Sequence, residues 1–533
     1  MDSKEILKFC LENGLLVDKE VLNLLSDISD IDFIKMFINK IKKETNQKIL
    51  TKQIIDNNKE QVNRIFLELP EEKRKRLEKF KVKLGLSIEI SKELSQDKRE
   101  IIIKEPEFKA NQIKDQFKDS IVLEKVRIKF MPDIQSKKLE VKDFVNYFKE
   151  KFIRLRAVLQ EHSRLNNIVS IDKISGNRHG ISIIGLVFDK RITKNKNILL
   201  DVEDLTGRIR VLISQNNPEL FEEAENIPLD GVIGFKGSGN KEIFFANEIF
   251  FPESSLPERK KSNKEEWAVF TGDLHVGSKL FMENNFLKFI DYLNGKIPNT
   301  ESRKIKYLFI VGDLVAGAGI YQGQENELNI IDVEEQYNKV AELLSKIRKD
   351  ISIIICPGNH DVMRIMEPQP ALDDKYAWRL HNLKNVILVS NPSVVNIGQT
   401  DNFSGFDVLM YHGYSFHYYA NNIPKLIREK AVHNPEKIMH YLLKNRHLAP
   451  SHSSTLYFPS EKDPFFIEKI PDIFFAGHTH KSGVSYYNNI LTISSSCWES
   501  MTSFQERMGN KPDFCKVPMF NLKTRAVKIL DFE

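Results

Sequence analysis

Between residues 267 and 480 the chain alternates short apolar runs with small polar clusters. Runs rich in Val, Ile and Phe and bounded by Gly or Pro are typical of buried β-strands. Five such runs end in Asp, Asn or His, and they read WAVFTGDLH, KYLFIVGD, ISIIICPGNH, FDVLMYHG and IFFAGHTH. Because open α/β sheets place ligand groups at the carboxyl ends of their strands, we expect the five clusters to meet at one edge.

Each polar cluster also contains a glycine at the end of its predicted strand. These glycines are Gly272, Gly312, Gly358, Gly413 and Gly477. Glycine permits tight turns and lets the backbone approach a bound ion or phosphate closely. The sequence therefore predicts an α/β domain whose strand ends surround a ligand.

The residue types at these strand ends are those that bind divalent metal ions. They are Asp273, His275, Asp313, Asn359, His412, His478 and His480. Imidazole, carboxylate and amide oxygen together favour manganese, iron or zinc, and magnesium is less natural because of the histidines. Seven ligands exceed the need of one ion, so we expect two ions, with Asp313, alone at its strand end, as the bridge. The alternative is that each histidine packs in the core and each aspartate caps a turn.

The pattern before residue 267 predicts further regions of different character. Apolar positions at helical spacing over residues 1–70 predict a small helical module, in which Asp18 caps the second helix. Residues 71–140 are rich in Lys and Glu and predict a charged linker, partly helical. Residues 141–165 carry a stripe of Phe and Leu, which predicts a helix docked on another element.

Residues 166–255 change to a strand pattern. Five strand-like runs, a turn at LTGR and a short helix at PELFEEAE follow in the order of a five-stranded OB barrel. Such barrels bind single strands through a basic groove with aromatic platforms. Here Phe235, Phe244 and Phe245 fit a core as well as a platform, so a structural or partner-docking barrel is favoured over a DNA groove. The basic residues that a groove would use are Lys190, Arg191, Lys194, Lys196, Arg208 and Arg210.

Composition narrows the class of protein only modestly. A chain of 533 residues with 41% hydrophobic content predicts about three or four domains. The net charge of +5 is mildly basic and compatible with nucleic acid. No run has the apolar length of a membrane span or of a signal peptide, so we expect no membrane partner. The four cysteines form no CxxC pair, which argues against a zinc knuckle and predicts a reducing cytoplasm.

The polar motifs, in their order, resemble a known signature. GDLHVGS, GDLV, GNHD, the YHG histidine and GHTH are similar to the motifs of calcineurin-like metallophosphoesterases. GAGIYQGQE, EPQPAL, RHLAP and CWESMTSFQERMGNKPDF resemble the small subunit of archaeal family D DNA polymerases, over residues 140–533. The resemblance implies a multidomain chain. An α/β metallophosphoesterase domain, a two-sheet βαβ sandwich at residues 265–533, would follow the OB barrel and the N-terminal helical module.

The resemblance also implies a role for each polar residue. The ligands of one ion would be Asp273, His275 and His480. The ligands of the other would be Asn359, His412 and His478. Asp313 matches the bridging carboxylate, His360 a catalytic histidine that is not a ligand, and Asp361 the partner that orients its ring.

The implied function is a metal-dependent 3′–5′ exonuclease that proofreads for a two-subunit replicative DNA polymerase. Its cofactors would be two divalent ions, manganese first, with magnesium, iron or zinc as alternatives. Its partners would be the large catalytic subunit, a single-stranded or mismatched DNA 3′ end and a sliding clamp, in the cytoplasm at the nucleoid. Two alternatives stay open: a mainly non-catalytic assembly subunit, and another metallophosphoesterase.

Residues 497–514, together with the barrel, are predicted to contact the large subunit. This run contains large apolar side chains, and such residues are enriched at interface cores. They are Trp498, Met501, Phe504 and Met508. The alternative is that these side chains pack inside the domain.

Overall fold

The computed structural model describes most of the chain beyond residue 125 and parts of the first 50 residues. The described residues are 3–18, 21–22, 25, 31–45, 49–50, 126–132, 137–297, 300–507, 509 and 511–533. The chain divides into two units, Met1–Glu107 and Phe108–Glu533. Among the described helices, none combines the length and hydropathy that crossing a membrane requires.

The first unit contains helices and two very short strands. They are α1 (Ser3–Glu12), β1 (Leu16–Val17), α2 (Ile31–Thr45) and β2 (Ile49–Leu50). The two strands pair in parallel. The remainder of the predicted module, residues 51–70, and the predicted linker up to residue 125 lie outside the described residues.

Two local features of the first unit, a glycine after α1 and an aspartate helix cap, have the conformations that the sequence predicts. Gly14 follows α1 with φ of +64°, a left-handed conformation that suits glycine after a helix. The carboxylate of Asp18 accepts a 2.7 Å hydrogen bond from the backbone N–H of Val21, as a helix cap does. The side chains of Ile6 and Cys10, four residues apart on α1, are fully buried.

The second unit contains a closed barrel of five strands and one short helix. These elements are β4 (Arg178–Ile192), β5 (Ile198–Glu203), β6 (Arg208–Ile213), α4 (Pro218–Glu225), β7 (Val232–Gly239) and β8 (Ile243–Phe250). Around the barrel the strand order is β4-β5-β6-β8-β7. Burial alternates along β5, because successive side chains of a strand point to opposite faces.

The three phenylalanines that the sequence left undecided divide between the barrel's two faces. Phe235 and Phe244 are fully buried in the barrel core, whereas Phe245 is 46% exposed. Phe188 is also exposed, and the guanidinium of Arg208 lies 4.7 Å from the centre of its ring. The outer barrel surface therefore carries aromatic and basic side chains together.

Two six-stranded sheets pack face to face in the rest of the second unit. The first has the order β12-β11-β10-β9-β18-β19. Its strands are β9 (Trp267–Thr271), β10 (Ile305–Val311), β11 (Ser352–Cys356), β12 (Val386–Leu388), β18 (Lys516–Asn521) and β19 (Val527–Asp531). The first four are parallel, and the last two are antiparallel to their neighbours.

The second sheet has the order β16-β17-β15-β14-β13-β3. Its strands are β3 (Val126–Phe130), β13 (Ser393–Ile397), β14 (Phe406–Tyr411), β15 (Ile473–Ala476), β16 (Gly483–Tyr487) and β17 (Ile490–Ser494). Strands β14, β15 and β17 are parallel, so their carboxyl ends lie at one edge. The two mixed sheets agree with the predicted phosphoesterase-like sandwich.

Helices cover the outer faces of both sheets. Those packed on the first sheet are α5 (Glu283–Leu293), α6 (Val333–Ser345) and α7 (Asp374–His381). Those packed on the second are α8 (Phe416–Asn422), α9 (Pro424–Arg428) and α10 (Pro435–Asn445). Each central strand is buried on both faces, which is why it reads as an unbroken apolar run.

Strand β3 lies inside the segment that the sequence predicts as a charged linker. Its residues VRIKF alternate apolar and basic side chains, and Val126 and Ile128 pack against the core between the sheets. Basic outward side chains are common on edge strands, because they discourage further pairing. The linker prediction is therefore wrong at residues 126–130: five alternating residues are too few to stand out in a highly charged segment.

Helix α3 (Val141–Gln160) contacts both the barrel and the sandwich. Phe152 and Leu155 pack with barrel residues, while Tyr147 packs with the helices of the second sheet. Between them, Lys151 is 1% exposed and its ammonium donates to the carbonyl of Pro450. Burial lowers the pKa of Lys151 to about 8. The predicted docking helix thus connects these two parts of the second unit.

Trp498 lies in the core behind the first sheet, so the prediction that it contacts a partner is wrong. It is fully buried, its ring centre lies 4.9 Å from that of Phe286, and its Nε1–H donates to Thr271 Oγ1 at 2.7 Å. Met501 is 43% exposed. The side chains of Phe504 and Met508 lie outside the described residues. An aromatic residue after a last strand suits a core and an interface equally, so sequence alone could not decide.

We expect Trp498→Ala to lower the free energy of unfolding by about 3–5 kcal/mol, because the large ring leaves a cavity among packed aromatics. Denaturant unfolding of the purified chain measures this change. The matched control is Trp378→Ala, since Trp378 is 41% exposed and should cost much less. Equal effects from the two substitutions would contradict the core assignment.

Candidate metal centre

The carboxyl ends of five strands from the two sheets meet at one cleft. Strands β9, β10 and β11 supply ligands from the first sheet, and β14 and β15 supply them from the second. The seven predicted ligands are all found there: Asp273, His275, Asp313, Asn359, His412, His478 and His480. The seven side chains predicted to meet at the strand ends thus lie together in the structure.

One group of potential ligand atoms comes from Asp273, His275 and His480, which are all buried. The Nε2 atoms of His275 and His480 lie 3.1 Å apart, and His480 Nε2 lies 3.5 Å from Asp273 Oδ1. Their ligand atoms all lie within 4.8 Å of one another. A carboxylate and two imidazoles at this separation could hold one divalent cation.

A second group comes from Asp313, His412 and His478. His412 Nε2 lies 3.4 Å from Asp313 Oδ2 and 3.0 Å from the side-chain oxygen of Asn359. The same Asp313 oxygen lies 3.8 Å from His275 Nε2, which belongs to the first group. Asp313 therefore belongs to the second group and also lies within 4 Å of a histidine of the first.

The orientation of His412 fits metal binding. Its Nδ1 lies 2.8 Å from the carbonyl oxygen of Val311, so Nδ1 carries the proton and donates it. That hydrogen bond leaves the lone pair of Nε2 directed at the second group. Histidine ligands are commonly fixed in this way by a hydrogen bond through the other ring nitrogen.

Five of the seven residues have a left-handed backbone. Their φ values are +51° at Asp273, +51° at His275, +49° at Asp313, +67° at His478 and +55° at His480. A non-glycine residue in this region costs about 1–3 kcal/mol and persists only where the surroundings enforce it. Such conformations cluster at functional sites, which favours a ligand-binding role over a role as core histidines and turn caps.

Two of the glycines allow this close approach. A Cβ atom on Gly358 would lie 2.3 Å from Asp313 Oδ1, and one on Gly312 would lie 2.6 Å from His412 Nδ1. Gly312 also has φ of +81°. Any side chain at either position would displace a potential ligand.

Burial and charge set the protonation of the histidines. Burial lowers the pKa of His275 and of His478 well below the usual value, which keeps both imidazoles neutral and able to bind a cation. Burial acts in the same direction on His412, but the Asp313 carboxylate outweighs it and raises the pKa to about 10. A bound cation would take the place of that proton.

His360 is held beside the ligands by its backbone and its ring. Its N–H donates to Asp313 Oδ1 at 2.8 Å, and its Nδ1 lies 2.9 Å from the carbonyl oxygen of Ala316. The ring stands perpendicular to that of His275, with centres 4.7 Å apart. His360 also forms a potential ligand group with His275 and Asp313, so its predicted role as a non-ligand stays a prediction.

Asp361 does not orient the ring of His360, contrary to the prediction. Its carboxylate accepts hydrogen bonds from the N–H of Gly358 at 2.8 Å and from the hydroxyl of Tyr337 at 3.0 Å. The carbonyl of Ala316 fixes the histidine ring instead, and a backbone partner leaves no trace in a sequence. Burial, followed by the charge of Asp313, raises the pKa of Asp361 to about 7. Asp361 thus supports the turn that carries the site.

A buried amide pair connects the ends of β11 and β14. Gln369 Nε2 donates to the carbonyl of Gly358 at 3.0 Å, and Gln369 Oε1 accepts from Asn391 Nδ2 at 2.9 Å. Asn391 Oδ1 in turn accepts from the N–H of His412 at 2.9 Å. These side chains were not among the predicted site residues, although Gln369 lies in the EPQPAL motif. These hydrogen bonds fix the backbone next to Asn359 and at His412 in one relative position.

We expect Gln369→Ala to weaken divalent-metal affinity about 10–100-fold, which is the usual effect of removing a residue that orients the metal ligands. Calorimetric titration with Mn²⁺ measures the affinity. Gln215→Ala is the control, because Gln215 is exposed on the barrel and should leave binding unchanged. Unaltered affinity in Gln369→Ala would show that the amide pair does not position the ligands.

The cleft above the ligands has a volume of about 350 Å³. Its lining includes part of the segment predicted to contact a partner, namely Glu499, Thr502, Gln505 and Lys511. Gln505 Nε2 lies 2.9 Å from His480 Nδ1. His417 and His433 also line the cleft. None of these cleft-lining residues directly follows a strand, and most are far from the ligand motifs in sequence. No motif spacing therefore pointed to them.

The chain matches known proteins over most of its length. The family of DNA polymerase alpha/epsilon B subunits matches residues 268–485. The DNA polymerase II small subunit of Methanothermobacter thermautotrophicus is 36% identical over 398 residues, which span 74% of this chain and 80% of that protein. The Pyrococcus furiosus counterpart is 36% identical over 403 residues, which span 74% of this chain and 64% of that protein.

Two solved structures superpose on about half of the chain. One is a novel archaeal phosphodiesterase, with 11% identity, a TM-score of 0.25 and coverage of 50% of this chain and 98% of that one. Another is Vps29 of Entamoeba histolytica complexed with zinc, with 12% identity, a TM-score of 0.22 and coverage of 50% and 99%. Superpositions this weak assign no activity.

The sequence matches carry the assignment, since identity of 36% extends over 398 residues. They agree with the resemblance that the motifs indicated. The chain belongs to the family of DNA polymerase II small subunits.

Proposed function

We propose that this chain is the 3′–5′ exonuclease subunit of a two-subunit DNA polymerase and that two divalent cations support its activity. The observation that carries the proposal is the position of the buried Asp313, which belongs to one group of potential ligands and lies 3.8 Å from His275 of the other. A scaffold that had lost catalysis would have no need to keep five ligand residues in strained backbone conformations.

Asp273, His275 and His480 would hold one cation, with Asp313 shared. The other would be held by Asn359, His412 and His478. Mixed imidazole and carboxylate ligands favour manganese, with iron, zinc or magnesium as alternatives. When bound, a pair of such ions lowers the pKa of a water molecule and neutralises phosphoryl charge during in-line attack.

His360 would act on the leaving group. The Ala316 carbonyl fixes Nδ1, which leaves Nε2 to donate a proton to the departing 3′ oxygen. The side chain lines the cleft together with His417 and His433. In this role His360 acts as a general acid without holding a cation.

The barrel and the cleft rim are candidates for DNA contact. The strand order, with a helix between the third and fourth strands, supports assigning the barrel to the OB class. Phe188 and Phe245 are exposed on its surface, and the guanidinium of Arg208, which also pairs with Glu203, lies 4.7 Å from the centre of the Phe188 ring. Arg210 is exposed on the same strand as Arg208, so the surface offers both stacking faces and basic side chains. Lys511 supplies further positive charge in the cleft lining, whereas Lys481, which also lines it, pairs with Asp513 at 3.2 Å.

A large catalytic subunit is the proposed partner, because the relatives are named as small subunits. Contact with a sliding clamp and a location at the nucleoid stay predictions. The second candidate function is assembly of the polymerase without catalysis. The left-handed backbone at five of the proposed ligands favours the nuclease, although one subunit can serve both purposes.

The test is Mn²⁺-dependent degradation of 5′-labelled single-stranded and mismatched DNA, with and without the large subunit. We expect stepwise shortening from the 3′ end that a chelator abolishes. Loss of label as a mononucleotide would reveal the opposite direction. Binding of the large subunit without any shortening would leave assembly as the function.

A further inference from the structure

Beyond the metal ligands, the cleft contains a carboxylate that the proposed mechanism does not use. Glu499 is 8% exposed and lines the cleft with Ser278 and Thr502. Burial raises the pKa of the Glu499 carboxyl, and Ser278 is near enough for its hydroxyl to lower that pKa. The nearby charges of His480 and His360 also act to lower it, and that of Asp313 acts to raise it. Glu499 therefore lies beside the reacting centre without belonging to either ligand group.

Glu499 is part of a wall that limits one side of the cleft. The wall consists of the loop at residues 316–328 and the segment at residues 499–505. Glu327 on the loop joins them, since its carboxylate accepts a hydrogen bond from the hydroxyl of Ser503 at 3.0 Å. It also accepts one from the hydroxyl of Tyr321, on the same loop, at 2.6 Å. A DNA strand entering the cleft would meet these residues, several of which line it.

A carboxylate beside a phosphodiester site is unfavourable unless it has a specific partner. It repels phosphate groups, and its burial adds a desolvation cost that only hydrogen bonds or positive charge offset. The groups of a DNA strand that can donate to it are the base N–H groups and a free 3′-hydroxyl. Within one nucleotide of the scissile phosphate, the sugar hydroxyl is the nearest such donor.

We propose that Glu499 binds the free 3′-hydroxyl of the terminal nucleotide. The inference rests on the proposed nuclease function and deepens it, because it identifies the residue that makes the enzyme select a strand end. Ser278 orients the carboxylate from one side, and the wall stops the strand at that position. The same negative charge repels a terminal 3′-phosphate.

The test uses the full chain with Mn²⁺ and three 5′-labelled oligonucleotides that end in a 3′-hydroxyl, a 3′-hydrogen or a 3′-phosphate. We expect the wild-type chain to prefer the hydroxyl end over the hydrogen end about 10–100-fold, which is the usual effect of a hydrogen bond to a charged group. Glu499→Ala should bring this ratio close to one. Glu499→Gln should raise the relative rate on the 3′-phosphate end, because it removes the repelling charge while retaining the shape.

Comparing the three substrates within one variant separates end recognition from folding, because a folding defect lowers all three rates together. Glu506→Gln is the control, since Glu506 is exposed on the neighbouring segment, and it should leave both ratios at the wild-type values. Glu499 variants that slow all three substrates equally would overturn the inference. Wild-type degradation that ignores the terminus would also overturn it, while leaving the nuclease proposal intact. No shortening of any substrate would refute the nuclease proposal itself.

Discussion

Asp313→Asn should abolish Mn²⁺-dependent nuclease activity while the chain stays folded. Asp313 is 2% exposed and lies within 4 Å of one histidine from each ligand group. An amide cannot bridge two cations with a full negative charge, and bound metal is worth several kcal/mol of transition-state stabilisation. We therefore expect a loss on the order of 10³-fold or more.

Activity, bound metal and folding should be measured on the same preparation. End-labelled DNA reports activity, elemental analysis reports metal, and circular dichroism reports the fold. The control is Asp291→Asn, since the side chain of Asp291 is 46% exposed and pairs with Lys296 away from the site. Full activity in Asp313→Asn would exclude a mechanism that depends on a bridging carboxylate.

His360→Ala should keep both cations yet lower turnover roughly 10²–10⁴-fold, the usual contribution of a positioned acid or base. The imidazole stands beside His275, and its Nδ1 is fixed by Ala316. Because its proposed role is proton transfer, the loss should fall on turnover rather than on DNA affinity.

Single-turnover kinetics and metal content together test this role. His381→Ala serves as the control, because His381 is exposed and contacts the carbonyl of Leu372 outside the cleft. If His360→Ala lost a cation, His360 would be a metal ligand, in the potential ligand group that it forms with His275 and Asp313. The assignment of His360 as a general acid would then be wrong.

The ligands were predictable because their signal is local. Each follows an apolar run that forms a buried strand, and parallel strands bring their carboxyl ends together whatever the loops between them do. The positions of Asp273, Asp313 and His412 therefore followed from a pattern within about ten residues of each one. The five barrel strands were likewise marked by local alternation and turn signals.

The remaining features depend on contacts between distant residues. Gln505 reaches His480 only because the segment after β17 folds back over the cleft. Trp498 lies in the core because α5 covers the first sheet at that point. Asp361 turns towards Tyr337, and no spacing rule distinguishes that direction from one towards His360.

Anomalous scattering from crystals grown with Mn²⁺ tests the central claim most directly. We expect two peaks about 3.5–4 Å apart. One should lie among Asp273, His275 and His480, the other beside His412 and His478, and both should contact the carboxylate of Asp313. A single peak, or a second ion that does not touch Asp313, would contradict the two-cation site.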